Sequence, residues 1–211
     1  LKKICALLLA AGESTRMKSP KQLLEWENMP LLTYQIKKLM KLPFFEIVVV
    51  LGHESEKIRN QVELRDTRVT FLQCMNYSEG QSASFRCGLE YIEKEYDGVF
   101  VMLVDLPLIR LETMNKVLKA GIKRLEIESP AFVIRPSCDG RIGHPVFIGH
   151  FSQLPWRNLT GDAGANKLLA KLQQLEFLDT DDAGICIDID TPSDYQLAKG
   201  RNKLIFSEVK P

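Results

Sequence analysis

Runs of Ile, Val, Leu and Phe alternate with amphipathic stretches along the whole chain, the pattern of strands and helices taking turns in a layered α/β protein. The pattern predicts strands near Ile4 to Leu9, Glu46 to Leu51, Val69 to Gln73 and Gly98 to Val104. Between and after them it predicts helices near Leu31 to Met40, Glu54 to Val62, Ser82 to Glu93 and Leu111 to Arg124. These strands are apolar on both faces, which suits a buried parallel sheet. Beyond Arg124 the rhythm changes. Ala131 to Arg135 and His144 to Gly149 flank an Asp139-Gly140 turn like a hairpin, and a helix is expected from Ala163 to Leu172. Two more strands, near Glu176 to Leu178 and Ile185 to Ile189, lead to a helix opened by Asp190-Thr191-Pro192.

No linker, repeat or low-complexity segment interrupts 211 residues, so the chain is read as one domain. Residues 1–110 would form one half of it and 111–200 the other. Lys and Arg number 28 against 27 Asp and Glu, and the cations form no stripe with interleaved aromatics, which argues against a nucleic-acid binder. The five cysteines are widely spaced, hold no CxxC pair and read as core filler. The apolar run Ile4 to Ala11 is too short to cross a bilayer, so no membrane association and a cytoplasmic location are expected.

In an open α/β sheet, ligands bind beyond the carboxyl ends of the strands, which singles out the loops after Leu9, Leu51, Gln73 and Val104. After the first strand, Ala10, Ala11 and Gly12 let a phosphate or base approach the backbone, while Ser14, Arg16 and Lys21 add a hydroxyl and two cations. The GK[ST] ending of a P-loop is missing, and so is the GxGxxG of a dinucleotide fold. Gly80-Gln81-Ser82-Ala83-Ser84 opens the helix after the third strand with small and hydroxyl residues suited to a flat base, although Ser82 would equally serve as its cap. Asp105, at the end of an apolar strand, places a carboxylate where Mg²⁺ could share it with phosphate oxygens. Asp188 and Asp190 alternate with Ile189 and so share a face. Asp190 reads equally as a second metal carboxylate or as a helix cap.

Leu9-Ala10-Ala11-Gly12, Ser14, Arg16-Met17 and Pro20-Lys21 resemble the LAAGxSxRM…PK signature of the MobA-like nucleotidyltransferases, with Lys18 where that family usually has Gly. The double Ala is similar to the molybdenum cofactor cytidylyltransferase branch rather than to the guanylyl-transferring one. Gly80-Gln81-Ser82 with Ser84, Asp105-Leu106-Pro107 and Asp188 to Asp194 resemble the nucleoside-binding and metal-approaching segments. Arg141 to Pro145, interrupted by Ile142, and Gly161-Asp162-Ala163-Gly164-Ala165 resemble the acceptor side.

The resemblance implies a three-layer Rossmann-like fold of the nucleotide-diphospho-sugar transferase (GT-A) type, with helices on both faces of a mostly parallel sheet and a small mixed-sheet extension. It implies transfer of CMP from CTP to molybdopterin with Mg²⁺ and release of pyrophosphate. Arg16, Lys21 and Asp105 would be catalytic; Ala10, Ala11, Gly12, Ser14, Gly80 and Ser84 would bind nucleotide. Asp105 and Asp190 would hold the metal, and His144 and Asp162 the acceptor. A molybdenum-containing hydroxylase is the candidate protein partner. The competing expectations are a sugar or polyol phosphate acceptor, and a non-catalytic factor that hands a cofactor to such a hydroxylase.

Overall fold

The structure, a computed structural model, describes residues 2–208 except 18, 94, 128, 162–168, 170, 171 and 173. The chain begins with β1 (Ile4–Ala10), every residue of which is buried, and continues through a small antiparallel pair, β2 (Glu25–Trp26) and β3 (Met29–Pro30), into helix α1 (Leu31–Met40). Then come β4 (Glu46–Leu51), α2 (Ser55–Asn60), β5 (Val69–Gln73), α3 (Gln81–Ile92), β6 (Gly98–Leu103) and α4 (Leu111–Arg124). The second half holds β7 (Phe132–Cys138), β8 (Arg141–Ile142), β9 (Val146–Gly149), β10 (Leu175–Asp179) and the last helix, α5 (Pro192–Glu208).

Among the described residues eight strands share one sheet, in the order β10-β7-β9-β6-β1-β4-β5, with β8 paired to β7. Strands β6, β1, β4 and β5 are mutually parallel; β9 runs against its neighbours β6 and β7, and the short β8 runs against β7. The expected α/β architecture with a mixed-sheet extension is therefore what forms. Alternation along β1 divides the interior in two. Ile4, Ala6, Leu8 and Ala10 pack with α1 and α4 through Leu32, Ile36, Leu39, Met114 and Val117, whereas Cys5, Leu7 and Leu9 pack with Phe85, Leu89 and Ile92 of α3 on the other face. Strand order reverses between β1 and β6, so a crevice opens beyond their carboxyl ends.

The Asp139-Gly140 hairpin forms, with both residues at positive φ (50° and 75°), and β7 runs on to Cys138 before the turn. Two expectations need correction. Ile185 to Ile189 is not a strand: Ala183–Cys186 is a 3₁₀ turn, because Asp182 accepts from the Gly184 N–H (3.0 Å) and seats the chain against Leu108 instead of a sheet edge. Nor does Ser82 cap α3. Gly80 occupies that position, and the Ser82 hydroxyl is buried without a partner. The helix expected from Ala163 falls almost entirely outside the described residues. No helix among the described residues is long and apolar enough to cross a membrane.

Candidate functional site

At the reversal point lies a cleft of about 380 Å³. Ala10, Ala11, Gly12 and Ser14 line one wall, Gly80 and Ser84 the other, and Lys21 and Asp105 the floor, so eight of the residues singled out from sequence converge there.

The loop after β1 is tied down from behind. Gln22, buried in a 3₁₀ turn, donates its Nε2 to the carbonyls of Ala10 (2.6 Å) and Gly12 (3.3 Å), and the His53 N–H reaches the carbonyl of Ala11 (3.4 Å). Carbonyls that would repel a phosphate are thereby engaged on the far side of the loop. Ser14, at φ 56°, closes the loop on itself: its hydroxyl accepts from the Lys21 N–H (3.0 Å) and its carbonyl from the Met17 N–H (2.9 Å). Gly52 gives the loop room, since a Cβ there would fall 2.7 Å from the Ala11 carbonyl and 2.5 Å from Tyr77 Cβ. Across the cleft Gly80 has φ 103° and ψ 177°, a conformation open in practice only to glycine, and it turns the Tyr77–Glu79 segment into α3.

The charges at the floor are arranged as a chain. Lys21 Nζ donates to Asp105 Oδ2 (3.2 Å) and to Asp190 Oδ1, and Arg16 donates to Asp190 Oδ2 (2.7 Å). Asp190 is available for this because Thr191 and Asp194 cap α5 between them. The Asp194 carboxylate accepts from the Thr191 N–H (2.8 Å), and the Thr191 hydroxyl accepts from the Asp194 N–H (3.2 Å). The two readings of Asp190 thus separate: its side chain faces Lys21 and Arg16, and the helix start is capped without it.

Burial raises the Asp105 carboxyl above its ordinary value, with Lys21 working against the rise, whereas the hydrogen bond from Lys21 holds Asp190 below the usual carboxylate range. The backbone joins the two segments, the Ile189 N–H donating to the Asp105 carbonyl (2.9 Å). Asp105 Oδ1 is buried without a partner. An orphaned carboxylate oxygen beside a second carboxylate, both now sharing one ammonium, is a donor set that fits a hard divalent cation. Among the described residues no cluster of three or more His, Cys, Asp or Glu assembles a metal cage.

His144 stands apart from the carboxylates. It lines a smaller apolar cavity of about 40 Å³ with Phe85, Val101 and Val146, which shares Leu9, Gln81 and Leu103 with the main cleft. Burial, with help from the Arg135 charge, brings its pKa down to about 4, and its Nδ1 is buried without a partner. The imidazole is therefore neutral and cannot act as a cation for a phosphate. Asp162 lies outside the described residues. Gln22, Tyr77 and Gln81 belong to the site without having been singled out for it. Gln81 stands inside the Gly80-to-Ser84 segment read above as suited to a base, and Gln22 follows directly on the Pro20-Lys21 pair.

The sequence model of the MobA-like NTP transferase domain matches residues 6–176. The bifunctional protein GlmU of Wolinella succinogenes is 36% identical over 119 residues, which are 54% of this chain and 26% of that protein. The chain thus spans about a quarter of the length of such curated relatives. The molybdenum cofactor cytidylyltransferase of Escherichia coli K12 is 23% identical over 201 residues, covering 94% of this chain and 96% of the relative. The crystal structure of Rv0371c from Mycobacterium tuberculosis H37Rv shares the fold with a TM-score of 0.78 at 23% identity, over 93% of this chain and 96% of that one. Its complex with manganese superposes with a TM-score of 0.74.

Proposed function

The chain belongs to the MobA-like NTP transferase family, and from that premise we propose that it transfers CMP from CTP to molybdopterin, or to its molybdenum-loaded form, releasing pyrophosphate. The observation that carries this reading is the Lys21–Asp105–Asp190 cluster at the floor of a cleft walled by small residues. The triphosphate lies along Ala10 to Ser14, and the pyrimidine and ribose face Gly80 and Ser84. An acceptor phosphate oxygen attacks the α-phosphorus, and the bond to the β-phosphate oxygen breaks. Because the acceptor is already an anion, no side chain need act as nucleophile or general base; catalysis rests on positioning and charge.

Asp105 and Asp190 would hold Mg²⁺, which when bound neutralises charge at the transferred phosphate. Lys21 and Arg16 are paired with those carboxylates in the free protein. They exchange them for phosphate oxygens when nucleotide enters, and then steady the departing pyrophosphate. His144, neutral beside an apolar cavity that adjoins the cleft, offers hydrogen bonds to an uncharged part of the acceptor. Asp162 would close the acceptor side. One domain does all of this, in the cytoplasm, with a molybdenum-containing hydroxylase as recipient of the product. Neither nucleic acid nor membrane is needed.

The test is pyrophosphate release from CTP, GTP, ATP and UTP, each with Mg²⁺ and freshly prepared molybdopterin, against a control lacking acceptor. Release with CTP is expected. Release only with a sugar or polyol phosphate would replace the acceptor, and nucleotide binding without turnover on any acceptor would leave the hand-over factor.

A further inference from the structure

Helix α1 carries two polar side chains on its buried face. Gln35 is fully buried and Lys38 is 7% exposed, among Leu31, Leu32, Ile36 and Leu39 of the apolar stripe. Placing an amide and an ammonium there is costly unless each is fully used. Both aim their donors at one target, the segment that leaves β6, while Gln35 Oε1 is buried without a partner. Gln35 Nε2 donates to the carbonyls of Leu103 (3.3 Å) and Val104 (3.1 Å). Lys38 Nζ donates to the carbonyls of Pro107 (2.9 Å) and Ile109 and lies 5.3 Å from the Tyr34 ring centroid. No carboxylate forms an ion pair with Lys38 among the described residues. The four carbonyls bracket Asp105, two before it in the chain and two after it.

We propose that Gln35 and Lys38 are positioning residues, a two-pronged clamp from α1 that fixes the backbone on both sides of Asp105 and so aims its carboxylate into the cleft. The proposal rests on the reading of Asp105 as the carboxylate that serves the metal and phosphates. The geometry assigns each prong a separate task. Gln35 holds the end of β6, whose next residue, Val104, also donates its N–H to the Leu9 carbonyl (3.1 Å). Lys38 holds the far side, where Pro107 offers no N–H to any ladder and the turn must be secured through its carbonyls. A lysine that only supports the fold would be dispensable for turnover and metal binding: its replacement would register in the melting temperature alone, through the Pro107 and Ile109 carbonyls left unpaired. A clamp is not dispensable, since outer groups that orient a metal-binding side chain typically govern metal affinity or rate by about 10–100-fold.

The experiment compares Lys38→Met, Lys38→Gln, Gln35→Leu and Asp105→Asn in the full chain. It reads the melting temperature, the kcat and KM for CTP, and Mn²⁺ binding by electron paramagnetic resonance in the presence of a non-hydrolysable CTP analogue. The expected result for Lys38→Met and Gln35→Leu is a folded protein with KM for CTP within about threefold of wild type, since the nucleotide walls are untouched, and kcat down at least about tenfold. Mn²⁺ affinity should weaken by at least about tenfold, and Lys38→Gln, which keeps a donor, should lose less than Lys38→Met. Wild-type kcat and Mn²⁺ affinity in the folded Lys38→Met and Gln35→Leu variants would overturn the clamp. If Lys38→Met does not fold, Gln35→Leu and Lys38→Gln decide by the same readings. Asp105→Asn separates the two levels: if it keeps full turnover and Mn²⁺ affinity, the reading of Asp105 fails first. If it loses both while the α1 variants keep both, the clamp alone fails.

Discussion

Replacing Lys21 by methionine keeps the bulk of the side chain and removes an ammonium that Asp105 and Asp190 share. At the 3.2 Å separation from Asp105 the pair is worth about 5 kcal/mol of gross attraction at an effective dielectric constant of about 20. Desolvation offsets part of that. The Lys21, Asp105 and Asp190 side chains are 12%, 22% and 27% exposed, so the site is partly open and the loss should fall below the usual range for a broken buried pair, at about 2–3 kcal/mol. The melting temperature should drop by about 4–12 °C for a chain of this size. Asp105 then has lost its cation and Asp190 keeps Arg16 alone, so the two carboxylates form a better cation site than the wild-type protein presents. The expected result is that Lys21→Met binds Mn²⁺ without nucleotide at least about tenfold more tightly than wild type, only about 1.4 kcal/mol of the attraction removed. Its pyrophosphate release from CTP should be abolished. Electron paramagnetic resonance titration of free Mn²⁺ reads the first quantity directly. Added Mn²⁺ should also raise the melting temperature of the variant more than that of wild type. Equal or weaker Mn²⁺ binding in a folded Lys21→Met protein would refute the idea that the lysine stands in the cation's place until nucleotide arrives.

Two further outcomes follow from local geometry. Gly80→Ala forces an alanine to φ 103° and ψ 177°, which should cost about 1–3 kcal/mol and raise the KM for CTP more than it lowers kcat. Thermal melts and steady-state kinetics check it, and an unchanged melting temperature would mean that the turn does not require glycine. His144 is held neutral, with a folded pKa of about 4 against an ordinary 6.5, so the unfolded chain takes up the proton first as the solution is acidified. Its contribution is complete above pH 6.5 and is lost as pH falls from 6.5 towards 4. Between pH 7.5 and 5 this single group should remove about 2 kcal/mol of wild-type stability, and that increment should be missing in His144→Gln. Urea unfolding of both proteins at the two pH values is the measurement; parallel losses would show that the imidazole is not sequestered.

The sheet was legible because its central strands are apolar on both faces, and the cleft was legible because small residues and carboxylates sit where those strands end. What escaped was of a different kind. Ile185, Ile187 and Ile189 alternate as a strand would, but a strand needs a free edge. Here Asp182 binds the Arg110 N–H (2.8 Å) and the Gly184 N–H, and so commits the segment to a turn against the loop after β6. Asp190 was ambiguous between cap and ligand until Asp194 was seen to share the capping with Thr191, a pairing present in the spacing Thr191-x-x-Asp194. Gln35 and Lys38 are polar, yet the steps Leu31, Gln35 and Lys38 continue the buried stripe of α1 at intervals of four and three. Hydrophobic periodicity says which face of a helix turns inward, and a polar residue on that face marks a place where the fold gives up apolar contact for hydrogen bonds to a particular backbone. In this chain those hydrogen bonds flank Asp105, so the departures from the pattern in α1 are themselves a pointer to the site.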